Sequence, residues 1–213
     1  MISMARQFWN EENTRGSLEV LRRLAGKLDL VLIGGWAVNF YTGKQKSLDV
    51  DIAIGYSAIE YFRQFGISQY DGLNIKYSVI DSVCVDLFIE QFADRDLPFP
   101  VSEIMENYVT IDNIKVVERS LLLLLKLWGY FRSDREKHTK DIIDALSLLL
   151  YAGIDMARVK EQMDRYGIPA RRAPDVIMEY LDIGDTLLDY LEMGKEEYDR
   201  LKSKYRADIK RIF

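Results

Sequence analysis

Leu30-Val31-Leu32-Ile33-Gly34-Gly35-Trp36-Ala37-Val38, and soon after it Ser47-Leu48-Asp49-Val50-Asp51-Ile52-Ala53-Ile54, is the stretch that decides how this chain folds. Leu30–Ile33 is a short apolar run that stops at two glycines, the pattern of a buried strand meeting a turn. Trp36–Tyr41 then reads as a short helix, stopped by Gly43. Ser47–Ile54 alternates and reads as a second strand, broken by Gly55. On a strand, successive side chains face opposite ways, so Asp49 and Asp51 point to one side while Val50 and Ile52 point to a core.

A third carboxylate stands further on, in Val83-Cys84-Val85-Asp86-Leu87-Phe88-Ile89. Val83, Val85, Leu87 and Ile89 share one face of that run, so Asp86 lies on the other. If this strand neighbours the Asp49–Asp51 strand, three acids converge on one patch. Converging carboxylates repel one another, and hard divalent cations with oxygen preference make sense of such a cluster. Mg²⁺ or Mn²⁺ there can share its ligands with substrate phosphates. Gly34 and Gly35 supply the complementary half. Glycine lets a backbone approach a phosphate closely, and the start of a helix presents free N–H groups. Each feature alone is common: Asp-x-Asp occurs on exposed strand faces, and Gly-Gly occurs in ordinary tight turns. The ordered set of strand, Gly-Gly, helix and Asp-x-Asp strand is far more specific.

Outward from this centre the chain is mixed at first and then helical. Residues 14–28 and 57–65 read as helices, the former on its leucine spacing. Ile75–Ile80 and Val83–Ile89 read as a hairpin across Asp81-Ser82, and Val109–Val117 as another around Asp112-Asn113. From Glu118 on, residues 118–131, 139–152, 155–166, 173–192 and 195–211 all carry helical periodicity. The expected fold is therefore α+β: a mixed sheet with flanking helices in residues 1–115, then an all-helical C-terminal domain in residues 116–213.

Composition narrows the function. The chain has 213 residues, 48% hydrophobic and 30% charged, which suffices for a real core. Its net charge of −5 argues against a wholesale nucleic-acid coat, since neutralising phosphates needs excess Lys and Arg. One cysteine, Cys84, rules out an intramolecular disulfide, and one histidine, His138, rules out a multi-histidine zinc site. No stretch is long and apolar enough for a membrane span, and no signal peptide is visible, so the expected location is the cytoplasm.

With these residues in view, the sequence resembles the polymerase-β-type nucleotidyltransferase superfamily. The resemblance is carried by Gly34-Gly35-Trp36-Ala37-Val38, Ser47-Leu48-Asp49-Val50-Asp51-Ile52 and Val85-Asp86-Leu87, and covers residues 30–90. It implies Asp49, Asp51 and Asp86 as metal ligands and catalytic acids, with Asp86 activating an acceptor hydroxyl and Gly34 and Gly35 holding the triphosphate. Beyond that the chain is similar to the AbiEii-like branch, which includes toxins. That likeness rests on Lys46-Ser47 before Asp-x-Asp, on Leu124-Leu125-Lys126-Leu127, and on Lys140-Asp141-Ile142-Ile143-Asp144. It implies nucleotide-binding roles for Lys46, Ser47, Lys126 and Asp141. The implied activity is Mg²⁺-dependent transfer of an NMP from an NTP to a hydroxyl on tRNA, protein or a small molecule. A toxin with an antitoxin partner is within that expectation.

The residues leave alternatives. Lys126 sits among leucines and needs an anion or a carboxylate, and Asp141 and Asp144 lie on one helix side where lysines can pair with them. A nucleotide-binding module without turnover would carry the same acids. Arg132 and His138 have the spacing of HEPN-type ribonucleases, with His138 the only general base that titrates near neutrality. The basic C-terminal stretch around Arg200, Lys202, Lys204 and Arg206 fits a solvated amphipathic helix better than a nucleic-acid surface.

Overall fold

The computed structural model describes residues 11–129, 135–169 and 172–213. Internal contacts divide the described residues into two compact units, one of residues 11–118 and one of described residues from 119 on.

The first unit is built on a mixed sheet of seven strands: β1 (Leu30–Ile33), β2 (Val50–Ile54), β3 (Ser68–Gln69), β4 (Lys76–Ile80), β5 (Val83–Ile89), β6 (Tyr108–Ile111) and β7 (Ile114–Val117). Their order is β3-β4-β5-β2-β1-β7-β6. β1 pairs antiparallel with β2 and parallel with β7, and β2 runs parallel to β5. The two hairpins close as their sequences demand. Asp81 and Ser82 hold φ of 50° and 67°, and Asp112 and Asn113 hold 49° and 64°, the paired positive φ of a type I′ turn. Four helices belong to this unit: α1 (Glu11–Ala25), α2 (Gly34–Thr42), α3 (Ile59–Arg63) and α4 (Val101–Glu106). α1, α2 and α4 pack on the central strands. α1 does so through Val20, Leu21 and Leu24, all buried, as its leucine spacing requires. Every residue of β1 is buried, so the strand that leads into the Gly-Gly turn is fixed by core packing.

The second unit is helical: α5 (Arg119–Trp128), α6 (Arg135–Tyr151), α7 (Met156–Tyr166), α8 (Arg172–Ile183), α9 (Leu188–Leu191) and α10 (Lys195–Ile212). α5 packs on α6, α7 and α8 through Leu121, Leu122, Leu123 and Leu124. The fold is thus α+β, a mixed sheet with helices followed by helices alone.

Several boundaries differ from expectation, each for a local reason. The second strand starts at Val50 rather than Ser47, because Ser47 and Asp49 spend their polar groups on a bend ahead of it. The single helix expected over 173–192 breaks at Gly184 into α8, a 3-10 turn and α9. There the Tyr198 hydroxyl packs where a side chain would start, 2.0 Å from a Cβ built on Gly184, and donates to the Leu181 carbonyl. That hydroxyl takes up a carbonyl in the last turn of α8. The helix expected at 57–65 is a 3-10 turn followed by the five residues of α3. β3 and α4 had no periodic signal because they are only two and six residues long.

Candidate active site

β2 and β5 are neighbours in parallel register, with Asp51 directly beside Asp86. Their apolar partners Val50 and Val85, and Ile52 and Leu87, are fully buried on the opposite face. This register brings the two acids together: a slip of one residue by either strand would turn its own acid into the core. Asp49 stands in the bend leading into β2, and one carboxylate oxygen from each of Asp49, Asp51 and Asp86 lies within 4.8 Å of the others. All three are partly exposed.

Gly34 meets this cluster from β1. Ile33 pairs with Asp51 across the β1–β2 ladder, and Gly34 follows at a φ of 68°. A Cβ at that position would lie 1.9 Å from Asp51 Oδ2. Both the left-handed backbone and the contact require glycine, so the main chain here is packed against a site carboxylate. Gly35 is buried in the first turn of α2, whose amide end opens at this point.

Hydroxyl donors hold the outer acids. Ser47 Oγ donates to Asp49 Oδ1 at 2.6 Å, and Tyr70 O–H donates to Asp86 Oδ1 at 2.7 Å. Ser47 is itself braced, since its carbonyl accepts from Ser17 Oγ at 2.6 Å and Ser17 Oγ accepts from Trp36 Nε1 at 3.0 Å. Ser17, Trp36 and Ser47 are buried, so α1, α2 and the Asp49 bend are locked by one polar chain. Cys84 shares the Asp86 face of β5, with Sγ 3.4 Å from Asp86 Oδ1 and from the Tyr70 oxygen. Burial pushes its thiol up to about 11, and the negative charge of Asp86 and Asp49 adds to the rise. Burial likewise raises the Tyr70 phenol above its ordinary range, reinforced by Cys84 and Asp86, so both are neutral groups at pH 7. Sequence reading missed Tyr70, Tyr77 and Ser17. Only Tyr77 carried a usable signal, its place on the strand next to Asp86.

The other expected residues lie off the strands that carry Asp51 and Asp86. Lys46 is half-buried in the loop between α2 and β2. Lys126 and Asp141 belong to the helical unit, where they form a charged cluster with Asp144 and Lys140. Lys126 Nζ stands 3.1 Å from Asp141 Oδ1 and 2.8 Å from Asp144 Oδ2, and Lys140 pairs with Asp144. Asp144 is completely buried. Burial pushes its carboxyl up, but Lys126 and Lys140 outweigh that and hold it below its ordinary value of 3.8. His138 lies on α6, its ring edge-on to Tyr180 at 6.2 Å. Arg132 lies outside the described residues, and with it the expected Arg132–His138 pair. On α10, Lys202 and Arg206 pair with Asp182, and Lys202 with Asp185 as well. Among the described residues no helix is long and apolar enough to cross a membrane.

A scan against protein-family models gives no match, and neither does a comparison with curated proteins. Among solved structures, the chain is similar to one described as the crystal structure of JHP933 from Helicobacter pylori. The likeness covers 95% of this chain and 94% of that one, at 15% identity and a TM-score of 0.49.

Proposed function

We propose that the sheet unit is a metal-dependent nucleotidyltransferase of the polymerase-β type, moving an NMP from an NTP to a hydroxyl and releasing pyrophosphate. One observation carries the reading. Asp49, Asp51 and Asp86 converge within 4.8 Å, and the Gly34 main chain is packed against Asp51 at the opening of α2. The donor set suits the ion: closely spaced carboxylate oxygens fit hard cations such as Mg²⁺ or Mn²⁺. When bound, the metal would activate the acceptor hydroxyl and neutralise charge on the leaving pyrophosphate.

The protein's own residues have distinct roles in this account. Asp49 and Asp51 hold the ion. Asp86 helps to hold it and takes the proton from the acceptor hydroxyl. Gly34 makes room for the Asp51 carboxylate against the main chain, and the backbone amides that open α2 at Gly35 would receive the triphosphate. Ser47 serves the site through Asp49, which it hydrogen-bonds. Placing the reactants and balancing their charge would supply most of the rate.

The test is pyrophosphate release from each NTP with Mg²⁺ or Mn²⁺, offered pools of tRNA, protein and small hydroxyl acceptors. The expected result is release with at least one pair, lost in Asp49→Asn and Asp51→Asn. Full transfer in either variant contradicts the assignment. Metal-dependent NTP binding without release from any pool would make the unit a nucleotide-binding module.

A further inference from the structure

We infer that Tyr70 is a positioning residue for Asp86, holding the third carboxylate in the orientation that lets it join a divalent cation with Asp49 and Asp51. This rests on the metal-binding reading of those acids.

The inference starts from a physical difficulty. Three like-charged side chains that meet within 4.8 Å repel one another, and a carboxylate with a free choice of rotamer turns away. Asp86 is partly exposed, so a solvated rotamer competes with the converging one. Something must hold it in place before a cation arrives.

Tyr70 is built for that. Its hydroxyl donates to Asp86 Oδ1 at 2.7 Å, a charge-assisted bond from a rigid ring. The ring rests on Tyr77 at 4.6 Å between centroids, and Tyr77 lies directly opposite Asp86 in the β4–β5 register. The hydroxyl is thus tied to Asp86 and the ring to the strand beside it. The backbone is tied too: Tyr70 N–H donates to the Ile75 carbonyl at 3.2 Å, and the Tyr70 carbonyl accepts from Leu73 N–H at 3.2 Å. Gln69 Nε2 closes the same loop by donating to the Leu73 carbonyl at 2.7 Å. The partner acid is treated alike, since Asp49 receives the Ser47 hydroxyl on one oxygen. Each hydroxyl holds one oxygen of its carboxylate and with it the orientation of the whole group. Donors of this kind tune metal ligands, and removing one typically weakens binding about 10- to 100-fold.

The experiment is Mn²⁺ titration, read by the spin-resonance signal of the free ion, with no nucleotide present. It uses the full chain as wild type, Tyr70→Phe, Tyr77→Phe, Asp86→Asn and Tyr70→Phe/Asp86→Asn. Tyr70→Phe keeps the ring on Tyr77 and removes only the donor. It should bind Mn²⁺ about tenfold more weakly than wild type, with an unchanged metal-free melting temperature. Tyr77→Phe should bind as wild type does. In the Asp86→Asn background, Tyr70→Phe should cost nothing more, because its effect runs through Asp86. Wild-type affinity in Tyr70→Phe, or an equal loss with and without Asp86, overturns the inference and leaves the metal site standing. If wild type holds no Mn²⁺, or Asp86→Asn holds it equally well, the metal-site reading falls and takes this inference with it.

Discussion

The two units each gather aspartates, and they do so to opposite ends. In the helical unit, Asp141 and Asp144 meet Lys126 and Lys140, so the acids face an equal number of lysines around a fully buried Asp144. In the sheet unit, Asp49, Asp51 and Asp86 meet one another, partly exposed, with hydroxyls from Ser47 and Tyr70 as donors. The first arrangement supplies its counter-charge from within and is complete as a structural element. The second gathers like charge on two neighbouring strands and the bend before one of them, partly exposed, which costs stability unless a cation repays it. The same residue type therefore reads as structure in one place and chemistry in the other, and the neighbours decide which.

Mutation separates the two most sharply at Asp144. Asp144→Asn should take from buried Lys140 its carboxylate and from Lys126 one of its two, and urea unfolding should show a loss of about 3–5 kcal/mol. The pH dependence follows with a definite sign. The folded carboxyl lies below 3.8, so its stabilisation is fully present above the ordinary carboxylate range and drains away as pH falls through the folded value. Wild type should lose stability on that acid limb, and Asp144→Asn should lose less of it. An unchanged unfolding curve in the variant would make the cluster a surface ornament.

Gly34→Ala comes next. The left-handed φ alone costs about 1 kcal/mol for a residue with a Cβ, and the new atom would strike Asp51 Oδ2. The expected outcome is a modest drop in melting temperature with a much larger loss of Mn²⁺ affinity, measured on the same sample. Equal losses in both would mean that Gly34 serves the fold only. The smallest effect is expected at Asp49→Asn. Removing one of three clustered negative charges should hold or slightly raise the metal-free unfolding free energy, by at most about 1 kcal/mol, while metal binding falls. A clear destabilisation there would erase the contrast with Asp144.

The centre of this molecule was legible in sequence because period-2 patterning is local. Val50 and Ile52 against Asp51, and Val83, Val85 and Leu87 against Asp86, fixed which way each acid points. What pattern could not supply was that β2 and β5 are neighbours, since strand order depends on contacts far apart in the chain. Tyr70 was invisible for the same reason: it sits in a loop with no periodicity and reaches Asp86 only through the β3–β4 hairpin. The break at Gly184 was hidden because its cause, Tyr198, lies on another helix. For Lys126, a lysine among leucines, sequence leaves open whether the anion it needs is a phosphate or a carboxylate. Within the helical unit it has two carboxylates.

The most direct test of the central claim is a calorimetric titration of each NTP, with and without Mg²⁺, into wild type and Asp51→Asn. The account predicts binding of at least one NTP by the wild type that requires the metal and disappears in the variant. Binding that ignores the metal, that survives Asp51→Asn, or that is absent for every NTP would contradict it.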